Sequence, residues 1–285
     1  MLSWLSTSLK RRAKSSLKSL RIAISRKSRG FSKQDLFNSV RRLGVAPGET
    51  LFVHSSFDAF TAFLGRPADI LVVLQEAVGS RGTVLMPTLP FRGSAVEYVR
   101  QRRVFNVKKT PSQMGLLTEL FRRMPGVIRS VHPTHAVAAW GAYADEMVAL
   151  HHEAATPCGR KSPFGRLLDH DGKILFLGTG IGVMTFFHSV EEILEAQMPF
   201  SPFTKDVFTL ESQDEHGNSI VTQTRLFDPQ YSRRRNLGKL EYALKQRKWW
   251  NELRLGGMQT VLLRADQVLK ARQELAQRGV YCYDE

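Results

Sequence analysis

The sequence predicts an α/β fold: a single layered α/β/α domain with a mixed central sheet, preceded by an amphipathic N-terminal helical extension. Three observations carry this expectation. Short apolar runs of strand character alternate with stretches of helical periodicity along most of the chain. Lys173–Leu177 is a near-continuous apolar run, the pattern of a strand buried on both faces. Glu215-His216-Gly217-Asn218 is a turn between alternating segments, which brings antiparallel pairing into the sheet. No internal repeat and no glycine-rich linker divides the chain, so the expected boundaries are an extension over 1–30 and one domain over 31–285.

The elements follow in order. Ser32 caps a helix that runs to Leu43. Asp35 sits where a carboxylate meets the positive helix end, and Gly44 followed by Pro47 stops the helix. Leu51-Phe52-Val53-His54 is a strand, and Ser55-Ser56 opens the loop after it. A helix covers about 69–78, and Gly79 to Gly82 turns into the short strand Thr83–Met86. Ser112 to Met124 reads as an amphipathic helix with a serine cap, and His135 to Trp140 alternates toward a strand. Beyond the central run Lys173–Leu177, Thr185 starts a further helix. Strands near 205–211 and 219–226 flank the turn, and a strand at 258–263 with a helix from about 266 to 277 closes the chain.

The 285 residues are 42% hydrophobic and 24% charged, enough to bury a core and incompatible with a disordered or fibrous chain. No stretch of 18 apolar residues offers a membrane-spanning helix. Cys158 and Cys282 are too few for a disulfide framework and lack a CxxC spacing, so buried thiols in a reducing, cytoplasmic setting are expected.

The net charge of +15 is unevenly spread. Residues 1–34 hold ten basic side chains and no acid, which leaves 31 basic against 26 acidic residues, or +5, for the remainder. So mildly basic a body argues against a nucleic-acid binder. In the leader Leu2, Leu5, Leu9, Ala13, Leu17, Leu20 and Ile24 form a helical stripe opposite Lys, Arg and Ser. Such a segment can lie on an anionic membrane surface, which would place the protein peripherally at the inner face of the membrane. It can also be a solvated tail whose leucines pack on the body or on a second subunit, as in a homodimer, or an organellar transit peptide.

Six of the eight histidines fall between His132 and His188. A metal site would need ligand spacing such as HExxH. That spacing is missing, and His132 and His135 straddle a Pro-Thr step, so no metal is expected. In the helix from Thr185, helical spacing puts His188, Glu191 and Glu195 on one face. A carboxylate there can fix the tautomer of the imidazole and leave the other ring nitrogen as a general base; a surface hydrogen bond is the plain alternative.

Several motifs extend this reading. Val53-His54-Ser55-Ser56, Gly82-Thr83-Val84-Leu85-Met86-Pro87, Arg129-Ser130-Val131-His132-Pro133-Thr134-His135, Ala138-Ala139-Trp140-Gly141, Ser162-Pro163-Phe164-Gly165, Gly172 to Gly178 and Thr185-Phe186-Phe187-His188-Ser189-Val190-Glu191 occur in this order. Together they resemble the aminoglycoside 3-N-acetyltransferase family over roughly 33–280. The resemblance implies transfer of an acetyl group from acetyl-CoA to a sugar amine. It matches His188 to the catalytic base and Glu191 to the carboxylate that orients it. His54, Ser55 and Ser56 match a CoA-contacting loop, Ser112 and Ser130 further cofactor-side positions, and His132 and His152 histidines near the cleft.

Two departures concern the acceptor. Ala136 stands where the family often has serine after His-Pro-x-x, and Gly182-Val183-Met184 replaces a polar residue before the catalytic helix. Polycationic aminoglycosides call for clustered carboxylates, whereas Arg225, Arg233, Arg234, Arg235, Lys245, Arg247 and Lys248 form a basic region, read as a solvated face or a CoA-phosphate contact. The expected acceptor is therefore a neutral or anionic amino sugar, on a nucleotide, a lipid carrier or a surface polysaccharide. The alternatives are an aminoglycoside resistance enzyme, a metal-assisted hydrolase using the histidine cluster, and a binding module built on the leader.

Overall fold

The structure, a computed structural model, describes residues 17, 19 and 21–284. Ten strands occur among them: β1 (Thr50–Ser55), β2 (Thr83–Pro87), β3 (Phe105–Asn106), β4 (Ile128–Arg129), β5 (Val137–Gly141), β6 (Lys173–Leu177), β7 (Phe203–Gln213), β8 (Ser219–Phe227), β9 (Asn251–Leu255) and β10 (Met258–Arg264). Seven form the main sheet in the order β4-β5-β2-β1-β6-β10-β9, and β3-β7-β8 form a smaller one. The strands β2, β1 and β6 are parallel, while β5 and β10 flank them antiparallel. The main sheet is therefore mixed, as expected, and β6 is buried between β1 and β10.

The alternation of side chains along a strand explains the layers. Phe52, Leu85, Ile174, Phe176 and Val261 face one side, packing on Phe187 and Val190 of the helix Phe187–Ile193 and on Ala265, Val268 and Ala271 of the helix Ala265–Gln277. Leu51, Val53, Val84, Leu175 and Leu262 face the other, against Leu36, Val40 and Leu43 of the helix Lys33–Leu43 and Ile70, Leu71 and Leu74 of the helix Pro67–Val78. Two faces, each covered by helices, make the α/β/α arrangement.

Local signals account for most boundaries. Ser32 and Asp35 form a reciprocal capping box, and Gly44 ends that helix with φ at 112°. The turn at 215–218 joins β7 to β8, both longer than the sequence pattern marks. One expectation is corrected. The helix expected from Ser112 begins at Leu116, because Gly115 at φ 114° redirects the chain and the Ser112 amide donates instead to Glu119.

Most of the leader's apolar stripe lies outside the described residues. Residues 21–29 are helical, with Ile24 exposed. The body takes hold at Phe31, which is buried, donates its N–H to the Ala62 carbonyl at 3.0 Å and packs on Phe63. No helix among the described residues is long and apolar enough to cross a membrane.

Leu175 is fully buried at the centre of the sheet. Leu175→Ala is expected to lower the unfolding free energy by about 2–5 kcal/mol, read from the urea midpoint. A loss below about 1 kcal/mol would contradict the buried position of β6.

Candidate active site

The loop after β6 delivers the chain to the helix Phe187–Ile193, whose buried Phe187 and Val190 fix which face turns inward. His188 and Glu191, one turn apart, meet through His188 Nδ1 and Glu191 Oε2 at 2.8 Å. An ionised carboxylate only accepts, so Nδ1 carries the hydrogen and Nε2 keeps the lone pair. Burial and the neighbouring charge of Arg235 push the His188 pKa below its usual value, partly offset by Glu191. The ring is therefore neutral at pH 7, in the form a base requires.

The Glu191 carboxylate is fully buried, a costly position for a charge without partners. Arg235 supplies them, with Nη2 3.2 Å from Oε2 and Nε donating to Oε1 at 3.3 Å. The hydroxyl of Tyr283 donates to Oε1 as well. The run Arg233–Arg235 thus divides. Arg233 is exposed and 3.6 Å from Glu97, Arg234 donates to the Asp284 carbonyl, and Arg235 turns inward, contrary to the solvated face read from sequence. Glu195 leaves the His188 face because the helix ends at Ile193; it pairs with Arg225 at 3.2 Å.

His188 lines a cleft of about 550 Å³. Leu89, Phe91, Met114 and Phe227 give it apolar walls, and Phe227 packs 4.1 Å from the His188 ring between centroids. Its charged side chains besides Arg235 are Arg92, Arg233 and Glu97. A second cavity of about 410 Å³ lies among Arg29, Thr61, Gly178, Thr179, Gly180, Gly256 and Gly257. The loop after β6 borders both: Gly178–Gly180 line the smaller, Gly182–Thr185 the larger.

Three histidines near His188 hold one another and the backbone. His132 Nδ1 accepts the N–H groups of Thr134 and His135 at 3.3 and 3.1 Å, and its ring stacks on His151 at 4.4 Å. His151 donates from Nε2 to the Pro157 carbonyl and accepts from the Ser130 hydroxyl, both at 2.8 Å. His135 stands edge-on to His188, 6.4 Å between centroids. Burial drives His132 and His135 well below the usual imidazole range and His151 to about 3, so all three are neutral. His152 is half-buried beside Glu153 and does not line the cleft. Among the described residues, no group of three or more His, Cys, Asp or Glu is placed to hold a metal ion.

At the end of β1, His54 stacks on Phe176, and burial lowers its pKa to about 3. His54 Nε2 and Ser55 Oγ are buried without a hydrogen-bond partner among the described residues. Ser56 donates its N–H to the Leu177 carbonyl at 3.0 Å, beside the start of the loop after β6. Ser112 and Ser130 are buried and engaged, the first with Thr118 and the Met114 N–H, the second with His151 and the Val137 N–H. The sequence marks Arg235 only as part of a basic region and Tyr283 not at all, since they arrive from 44 and 92 positions beyond Glu191.

A family model described as aminoglycoside 3-N-acetyltransferase matches residues 52–277. Aminoglycoside N(3)-acetyltransferase VII of Streptomyces paromomycinus is 29% identical over 189 residues, covering 61% of this chain and 65% of that protein. The chain spans less than two thirds of the length of the curated relatives it matches. The solved structure of aminoglycoside acetyltransferase AAC(3)-Xa has the same fold, with a TM-score of 0.77, 22% identity, and coverage of 92% of this chain and 98% of that one. AAC-IIIb, solved as a binary complex with CoASH, likewise shares the fold, with a TM-score of 0.73 and 22% identity over 87% of this chain and 97% of that one. With a match that runs from within β1 through the helix carrying His188 and Glu191 to the end of the helix Ala265–Gln277, the chain belongs to the aminoglycoside 3-N-acetyltransferase family.

Proposed function

We propose that this chain transfers an acetyl group from acetyl-CoA to an amine of an amino sugar, with His188 as general base and Glu191 as the group that orients it. The observation that carries the reading is a neutral imidazole on the cleft wall, its Nδ1 held by a buried carboxylate. As the amine attacks the thioester carbonyl, a C–N bond forms and the nitrogen must lose a proton. Nε2 of His188 accepts it, and the Glu191 charge supports the imidazolium. When the C–S bond breaks, the proton passes from the ring to the departing thiolate. The balance needs no covalent enzyme intermediate and no metal.

The residues suit acetyl-CoA as cosubstrate. Nothing lies within 4 Å of where a side chain would start at Gly180 or Gly182, so a ligand can approach the main chain of the loop after β6. Arg29 in the smaller cavity suits a phosphate, and the unpartnered Ser55 Oγ and His54 Nε2 supply polar atoms at the strand end, where α/β folds take ligands. Ser56 belongs to the same strand end. Ser112, Ser130 and His132 support the wall through hydrogen bonds they already make. His152, away from the cleft, is left with a peripheral role.

For the acceptor, the family and the relatives favour an aminoglycoside, which makes the aminoglycoside-modifying reading the first to test. A second reading is a neutral or anionic amino sugar, such as one linked to a nucleotide or a surface polysaccharide. The observation favouring it is the rim of the cleft, where Arg92 and Arg233 stand with a single carboxylate, Glu97, and that one is paired to Arg233.

His188→Ala is expected to lower kcat by roughly 10² to 10⁴ with little change in acetyl-CoA binding, and Glu191→Gln by less. Thiol release from acetyl-CoA measures this, and near-wild-type turnover of the alanine variant would remove His188 from its role. The same assay against a panel separates the acceptors. Sisomicin and gentamicin turned over above every UDP-amino sugar means the aminoglycoside reading holds; the reverse order, with loss of acceptor affinity in Arg92→Glu, means the cleft charge decides.

A further inference from the structure

Residues 281–284 return to the active site from the far end of the chain. Arg235 and Tyr283 pair as an antiparallel bridge. Around it, Asn236 N–H donates to the Cys282 carbonyl at 2.8 Å, Asp284 N–H to the Arg234 carbonyl at 2.7 Å, and Asn236 Nδ2 to Asp284 Oδ1 at 2.8 Å. Lys239 Nζ adds a bond to the Tyr283 carbonyl at 3.0 Å. Residues facing each other across such a bridge carry their side chains to the same side. Both go to Glu191: the guanidinium to its two oxygens, the phenol to Oε1. The Tyr283 ring is buried and held edge-on by Phe200, 5.0 Å between centroids.

Resting on the assignment of His188 and Glu191 above, we infer that Tyr283 is a positioning residue of the acetyl transfer, a C-terminal clamp that holds the Glu191 carboxylate and thereby sets the basicity of His188. The family match ends at residue 277, so the clamp lies beyond it. Tyr283 touches neither the cleft nor the reacting atoms; it acts through the carboxylate. A hydrogen bond from its phenol takes up part of the negative charge that would otherwise fall on His188 Nδ1–H. Without it the carboxylate holds an imidazolium more strongly, so the ring protonates at higher pH and less base is present at neutral pH.

The other ionisable groups around the pair do not compete for this role. His135, driven down by burial, is neutral, as are the buried thiols Cys158 and Cys282, whose pKa values burial pushes up, the latter to about 11. Two guanidinium groups lie nearby as well, Arg235 acting on His188 and Arg272 on Cys282, and every variant below leaves both in place.

The test compares wild type, Tyr283→Phe, Glu191→Gln and the double variant. Phenylalanine keeps the ring on Phe200 and removes only the hydroxyl. The His188 ring is titrated by NMR, with His188→Ala assigning its signal, and kcat and the acetyl-CoA KM are measured by thiol release. Tyr283→Phe is expected to raise the His188 titration midpoint by about half to one pH unit. It is expected to move the pH profile of kcat upward with that midpoint, lowering kcat at pH 7 by at most about 3-fold while the acetyl-CoA KM stays unchanged, and to add nothing once Glu191 is Gln. An unmoved midpoint, or an effect that persists in full in the Glu191→Gln background, overturns the inference. A moved midpoint in a protein whose His188→Ala variant keeps its turnover instead refutes the base assignment and leaves the clamp's hold on Glu191 standing.

Discussion

A carboxylate with no access to water has to be paid for by its neighbours, and in this chain that carboxylate is Glu191. Removing one partner of a buried charge typically costs about 3–5 kcal/mol, so the groups around it are tightly specified. Three distant segments meet there: the helix Phe187–Ile193 with His188, the loop with Arg235, and the C-terminal segment with Tyr283. The tautomer of His188, the inward turn of one arginine in a run of three, and the docking of the last described residues all follow from satisfying two oxygens.

The histidine cluster illustrates the same economy of buried polar groups. His132, His135 and His151 take backbone N–H and carbonyl groups, a serine hydroxyl and one another, and burial keeps them neutral. They form a hydrogen-bonded wall in which His135 also reaches the cleft, and His188 differs from them in having a carboxylate partner. The density of histidine in the sequence thus gathers one carboxylate-paired imidazole and its hydrogen-bonded surroundings.

What the sequence discloses here is local. Periodicity marks β1, β2, β6 and β10, and it places Glu191 one turn after His188, because both are consequences of spacing within a single element. The capping box at Ser32 is legible for the same reason. Where a single glycine overrides the pattern, as Gly115 does after Ser112, the helix start moves. The hardest to foresee are Arg235 and Tyr283. Arg233-Arg234-Arg235 has the composition of a solvated face, and a lone tyrosine near the end of the chain has no local signature. Only the antiparallel bridge between residues 235 and 283 tells that both belong to the site. The net charge of the body was likewise no guide to Arg235, whose charge is spent on Glu191.

The proposed role of His188 depends on its protonation pattern, with hydrogen on Nδ1 toward Glu191 and a lone pair on Nε2. Long-range proton–nitrogen NMR on histidine-labelled protein at neutral pH reads both ring nitrogens directly, with His188→Ala identifying the resonances. A neutral ring with Nδ1 protonated and Nε2 bare is expected. An imidazolium, or a ring protonated on Nε2, would contradict it.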